Sequence, residues 1–177
     1  RYGYVYGWGL NTTGQCGCGD YDSPRQLPVK VLKNTGGYLD NIIAVNAGVT
    51  HSLALSNDGR VWEFGGNNIS NKAKLVPGPG GVGYLENIVA VATCEDSLAL
   101  DSDGNVWHWS VGNPVQVSGL SDIIDVSCGS GYYIALDSDG FLWKWEPGVT
   151  PYKITDGEMD TASGFLEDIV AVDAGYG

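Results

Sequence analysis

The sequence predicts an all-β chain of propeller blades, each a sheet of four antiparallel strands. Three observations carry this: a repeated unit, an Asp-Gly turn at one fixed place in each unit, and aromatic pairs spaced two residues apart. The repeat is plain in the segments that begin at Ile42 (IIAVNAGVTHSLALSNDGRVW), Ile88 (IVAVATCEDSLALDSDGNVW) and Ile123 (IIDVSCGSGYYIALDSDGFLW). A further copy opens at Ile169 as IVAVDAG, and Val5–Gly9 matches the tail of a unit. Val45, Val91, Val126 and Val172 mark the period, which falls in the range of about 20–50 residues typical of solenoids and propellers.

Each unit divides into four pieces. The first is Ile42–Ala47 and its equivalents, and the second is the SLALS run Ser52–Ser56. Asp58-Gly59, Asp103-Gly104 and Asp139-Gly140 follow. Asp-Gly between alternating apolar runs predicts a hairpin, and a type I′ turn would place both central residues at positive φ. The third piece, Val61–Gly65, alternates strictly. The fourth is short and lies near a proline, at Leu27–Val31, Leu75–Val76, Pro114–Val117 and Pro151–Ile154, as suits an edge strand. No stretch sustains a 3.6-residue period, so helix is expected to be minimal. The units run over about 39–77, 85–117 and 120–154, with partial units at 1–32 and 166–177.

The composition fits this reading. Glycine occurs 27 times, about twice its ordinary share, as tight turns require. The third pieces carry Tyr6 with Trp8, Trp62 with Phe64, Trp107 with Trp109 and Trp143 with Trp145. A spacing of two puts each pair on one sheet face. Trp8, Trp62, Trp107 and Trp143 are therefore expected in the core between blades, with Trp109 or Trp145 as the choices for any carbohydrate-stacking role. Nine basic against 21 acidic residues leave a net charge of −12, a poor match to a phosphate backbone or an anionic leaflet. No run of about 18 apolar residues is present to span a bilayer. The chain begins with Arg1 and starts and stops out of phase with its repeat. The expectation is a piece of a longer propeller, or copies that complete one another, or a short C-terminal remainder.

The string GWGLNTTGQCGCGD at Gly7–Asp20, with Pro28-Val29, AGVTHSLAL at Ala47–Leu55 and DGRVWEFG at Asp58–Gly65, resembles the regulator of chromosome condensation repeat. That resemblance implies a β-propeller, usually of seven blades. The short units look more like bacterial secreted members of the family, which implies a secreted or cell-surface setting. Cys16 and Cys18 stand where the family has leucine, and Cys94 stands for a glycine with one residue deleted after it. Members that exchange nucleotide on the GTPase Ran carry a β-wedge insertion and basic arms, and neither is visible here.

The remaining chemistry is sparse. Asp101–Gly104 and Asp137–Gly140 invite a calcium reading, but no glutamate stands at the twelfth position, and a turn is expected instead. Cys16-x-Cys18 is too close-spaced for a zinc pair. Cys94 and Cys128 sit at the ends of adjacent first pieces, where small-residue packing or a disulfide are both open. His51 is expected to hold its turn by a hydrogen bond, and His108 alternates away from its flanking tryptophans. No metal, cofactor or catalytic group is expected. The turns between first and second pieces share one end with the longer loops Gly9–Gln26 and Gly65–Lys74. That end gathers Thr50, His51, Glu95, Asp96, Ser130, Tyr132 and Tyr176, and binding residues concentrate on such loops. The expected function is a non-enzymatic module binding a protein partner, with a self-assembling subunit or a glycan-acting propeller as alternatives.

Overall fold

Each repeat folds as an antiparallel meander, as a computed structural model shows. The structure describes residues 3–66, 70–110, 112–155 and 168–175. A two-stranded sheet comes first, β1 (Tyr6–Gly9) with β2 (Arg25–Lys30). Blade 1 follows: β3 (Ile42–Ala47), β4 (His51–Ser56), β5 (Val61–Gly65) and β6 (Ser70–Leu75). Blade 2 holds β7 (Ile88–Thr93), β8 (Ser97–Asp101), β9 (Val106–Trp109) and β10 (Val115–Gln116). Blade 3 holds β11 (Ile123–Gly129), β12 (Tyr132–Asp137), β13 (Leu142–Trp145) and β14 (Tyr152–Lys153). In each blade the strands pair in chain order. β3 packs against β7 and β7 against β11, so the first strands line one side of an open arc. One short 3-10 turn, Pro79–Gly81, is the only helical element among the described residues.

Register explains the alanine inside each SLAL-type strand. Ala54, Ala99 and Ala135 lie directly opposite Trp62, Trp107 and Trp143, and a side chain this small leaves room for the indole. All three alanines are fully buried. The leucines of the same strand point the other way. Leu53, Leu55 and Val61 of blade 1 therefore meet Ala99 and Trp109 of blade 2, with Trp107 packed alongside. Leu98, Leu100 and Val106 of blade 2 likewise meet Tyr133, Ala135 and Trp145 of blade 3, with Trp143 alongside. Val31 and Leu39 meet Ala54 and Phe64, with Trp62 alongside. Each aromatic pair thus faces the preceding blade.

That direction corrects one expectation. Trp8 is 63% exposed, not core, because no preceding blade lies against β1 among the described residues. A second correction concerns Trp109 and Trp145. They are 4% and 3% exposed, so neither offers a face to a sugar. In blades 1 to 3 the aromatic nearer the end of the third strand is the deeper of its pair.

The Asp-Gly hairpins form, with a different turn. Gly59, Gly104 and Gly140 have φ of 77°, 80° and 84°, while the aspartates before them do not have positive φ. Gly59 N–H bonds Ser56 O at 2.9 Å, and Ser56 N–H bonds Arg60 O at 2.9 Å. This is a type I turn closed by a left-handed glycine, the usual three-residue hairpin, in place of type I′. In blade 1 the fourth strand also lies upstream of its proline: β6 ends at Leu75, before Pro77.

The hairpin glycines also join blades. The carbonyl of Gly59 accepts the N–H of Ile88 at 2.9 Å, that of Gly104 the N–H of Ile123 at 3.3 Å, and that of Gly140 the N–H of Ile169 at 3.2 Å. Before each isoleucine stands Asn87, Asp122 or Asp168 at positive φ, as Asn41 stands before Ile42. Asn and Asp tolerate this left-handed geometry best among residues with a Cβ.

Candidate functional site: the loop-rich end

The loop between β1 and β2, residues 10–24, is built around one amide. Asn11 is fully buried. Its Oδ1 accepts the N–H of Cys16 at 3.0 Å, and its Nδ2 donates to the carbonyls of Asp20 and Asp22, each at 3.2 Å. The loop is therefore wound on the asparagine of the GLNTTGQ motif. Asp20 pairs with Arg25, whose hydrogen bond holds the carboxyl below the usual carboxylate range. Burial pushes the Cys16 thiol up.

The loop is tied to blade 1. Thr13 Oγ1 lies 2.7 Å from the carbonyl of Thr50 and 2.6 Å from Gln15 Oε1. Gly66 N–H also bonds the Thr50 carbonyl, at 2.8 Å. The next tie needs Gly48. A Cβ there would stand 2.4 Å from the Cys94 carbonyl oxygen, and that closeness lets Val49 N–H bond the same carbonyl at 3.0 Å. Further along, Ser130 Oγ donates to Glu95 at 3.3 Å and Tyr132 Oη donates to the Gly175 carbonyl at 3.2 Å. The turns at this end thus form a stepped row with each turn bonded to the next.

Of the residues expected here, Thr50, Glu95 and Tyr132 do lie on this row. Tyr132 is partly buried, with Lys144 Nζ 5.0 Å from its ring centre. His51 and Asp96 are taken up by packing. His51 is 4% exposed, with Nε2 2.8 Å from Ser97 Oγ and 2.7 Å from Thr93 Oγ1. It therefore joins blade 1 to blade 2, where the sequence suggested a contact within its own turn. Burial lowers its pKa and keeps the ring neutral. Asp96 accepts from Tyr133 Oη and lies 3.2 Å from His108 Nε2, with His108 also 3.1 Å from Tyr133 Oη. Burial and the Asp96 carboxylate raise the Tyr133 pKa. His108, left unassigned by the sequence, is thus part of the joint between blades 2 and 3. Tyr176 lies outside the described residues.

Two structural roles had an unread signal. Asp101 and Asp137 each stand six residues before a tryptophan and accept its Nε1, from Trp107 and Trp143, both at 2.9 Å. They also accept hairpin N–H groups, at Asp103 and Asn105 and at Asp139 and Phe141; Asp101 further accepts the Asn105 amide and Asp137 pairs with Lys153 at 3.4 Å. The DSDG strings are turn caps, as their hairpin position suggested. Glu63, 4% exposed, accepts Trp109 Nε1 at 3.2 Å and pairs with Lys74 at 3.2 Å. A glutamate alternating with two aromatics was the available clue. Among the described residues no three His, Cys, Asp or Glu side chains converge to hold a metal.

A depression of about 400 Å³ opens beside the row. Leu10, Gln15, Val49, Trp8 and Val45 line it. Leu10, Val49, Trp8 and Val45 are 47–63% exposed.

The meander blades and their nearest-neighbour packing define the class, an open run of propeller-type blades, and its beginning is similar to the regulator of chromosome condensation repeat. Residues 2–55 match the model of the regulator of chromosome condensation (RCC1) repeat. Protein pim1 of Schizosaccharomyces pombe is 29% identical over 131 residues, which cover 72% of this chain and 21% of that protein. A probable E3 ubiquitin-protein ligase, HERC6 of Homo sapiens, is 36% identical over 66 residues, 37% of this chain and 6% of that one. The chain therefore spans about a fifth or less of these relatives. Among solved structures, Prp20p of Saccharomyces cerevisiae superposes with a TM-score of 0.66 at 16% identity, covering 89% of this chain and 47% of that one. Human WBSCR16 gives 0.63 at 22% identity, covering 81% and 45%.

Proposed function

We propose that the chain is a non-enzymatic protein-interaction module that receives a basic segment of a partner protein on its loop-rich end. The observation that carries this is the stepped row of turns. Its backbones are fixed to one another through Thr13, Val49, Ser130 and Tyr132, while Leu10, Tyr21 and Val49 stand outward at 59%, 59% and 47% exposure. Rigid loops with outward aromatic and aliphatic groups bind at low entropic cost. The net charge of −12 favours the approach of a cationic partner to the chain as a whole. Prp20p, of like fold, has been described binding Gsp1p and histones, so a basic protein is a fitting probe. The short repeat units favour a secreted or cell-surface setting.

The test is calorimetric titration with core histones at two salt concentrations. Glu95→Lys and Tyr132→Ala, at the loop end, are expected to weaken binding at least severalfold. Charge reversal of Asp58 and Asp103, at the opposite hairpin end, is expected to leave it unchanged. Equal loss from both ends would refute a site on the loop-rich end.

Self-association is the second reading, favoured by β1. Among the described residues it pairs with β2 alone, and its other edge lies beside exposed Tyr6, Trp8, Ile43 and Val45. An unpaired edge with apolar neighbours templates further strands. Sedimentation that does not change with concentration would remove this reading.

A further inference from the structure

The inner strands of adjacent blades are tied by a side chain at the residue after the marker valine. Asn46 Oδ1 accepts the N–H of Thr93 at 3.2 Å, and Ser127 Oγ accepts the N–H of Ala174 at 3.1 Å. At the junction of blades 2 and 3 the equivalent residue is Ala92, which has no polar atom to offer. There two thiols meet instead. Cys94 stands three residues after Val91 and Cys128 two residues after Val126, so they are staggered by one position. The stagger sets the Cys128 thiol beside the Cys94 sulfur, in β11 and at the end of β7, strands that pack against each other. Both are unoxidised, buried from the bulk at 4% and 8% exposure, and line one cavity of about 350 Å³ with Gly48, Thr93 and Ala174.

We propose that Cys94 and Cys128 are a modification site, oxidised by a small hydroperoxide to a disulfide that locks blade 2 to blade 3. The cavity admits a molecule the size of hydrogen peroxide. Cys94 is the attacking sulfur. The hydrogen bond from Cys128 lowers its pKa to about 7, against the opposing effect of burial and with help from the N–H groups of Asp96 and Glu95. Cys128 is held as the thiol, its pKa pushed up by its bond to Cys94 and by burial. In the first step the Cys94 thiolate attacks one peroxide oxygen. The O–O bond breaks, hydroxide leaves, and Cys94 becomes the sulfenic acid. In the second, Cys128 sulfur attacks Cys94 sulfur, the S–O bond breaks, and the leaving hydroxide and the Cys128 proton are accounted for as water. Two thiols are oxidised by two electrons, and one peroxide is reduced to two waters.

The test treats the purified reduced chain with limiting hydrogen peroxide, alkylates remaining thiols and maps peptides without reductant. The expected result is loss of two of the four thiols, one linked peptide pair holding Cys94 and Cys128, and full reversal by dithiothreitol. The urea midpoint rises on oxidation and returns on reduction. In Cys128→Ser the second step is lost, so dimedone, a sulfenic-acid trap, labels Cys94. Where that variant fails to fold, the wild-type peptide map decides. Cys94 and Cys128 still alkylatable after oxidation, or a link confined to Cys16 and Cys18, would overturn the proposal.

Discussion

Replacing Trp109 by phenylalanine and by alanine separates two contributions that meet at one side chain. Trp109 is 4% exposed between blades 1 and 2, and its Nε1 donates to Glu63, itself 4% exposed. Phenylalanine keeps most of the ring and removes the donor. A hydrogen bond to a charged buried group is worth about 1.5–3 kcal/mol, so Trp109→Phe should cost about 2 kcal/mol. Lys74 still pairs with Glu63, which keeps the figure from rising further. Alanine removes the ring as well. Large aromatic-to-alanine changes in cores cost about 3–5 kcal/mol, with the lost donor included. The assay is urea unfolding followed by far-UV circular dichroism, for both variants alone and in a Glu63→Gln background. The carboxamide accepts a weaker bond, so the cost of Trp109→Phe should fall to about 1 kcal/mol there. A cost that is the same in both backgrounds would refute the claim that this bond couples the blades.

Three further outcomes follow from the same contacts. His51 is neutral in the folded chain because burial lowers its pKa below 6.5. As pH falls below that value the unfolded chain gains a proton that the folded one does not take up. Stability should therefore fall with acidification, by at most about 1.4 kcal/mol per pH unit from this group, and His51→Gln should flatten the difference curve in a pH series of urea midpoints. Gly48→Ala forces a Cβ to 2.4 Å from the Cys94 carbonyl oxygen, so it should destabilise by about 1–3 kcal/mol in the same assay; a neutral result would mean the turns move apart freely. Burial raises the Asp137 pKa, but hydrogen bonds from Trp143 and Phe141 and the Lys153 charge outweigh it and leave the carboxyl below 3.8. Its contribution is present above that value and is lost as pH falls through the lower folded one. Asp137→Asn should therefore show a smaller loss of stability below pH 3.8 than wild type, measured by thermal unfolding.

Strand positions were readable because they depend on local pattern. Alternation and Asp-Gly punctuation locate β5, β9 and β13 without knowledge of any neighbour. Turn type was less readable, since one Asp-Gly string serves both a two-residue I′ loop and the three-residue loop found here. What the sequence could not show is which neighbour a side chain meets. Trp8 and Trp109 stand in similar local contexts, yet one is exposed and the other buried, because among the described residues a blade packs on only one of them. His51 and Asp96 looked like available loop groups for the same reason. Their partners, Thr93, Ser97, His108 and Tyr133, lie on another strand or the next blade, and nothing adjacent in the chain points to them. The Asn or Asp before Ile42, Ile88, Ile123 and Ile169 was visible throughout, and its left-handed backbone gives that regularity its meaning.

The unequal surroundings of the tryptophans have an optical consequence. Trp109 and Trp145 lie in apolar packing, while Trp8 is exposed beside an edge of β1 that has no strand partner among the described residues. An indole in water emits at longer wavelength than one in a core, so the red side of the fluorescence spectrum belongs chiefly to Trp8. Anything that settles on that edge will shift this emission to the blue and shield it from iodide. The chain carries its own indicator of whether the edge is covered, with no label added.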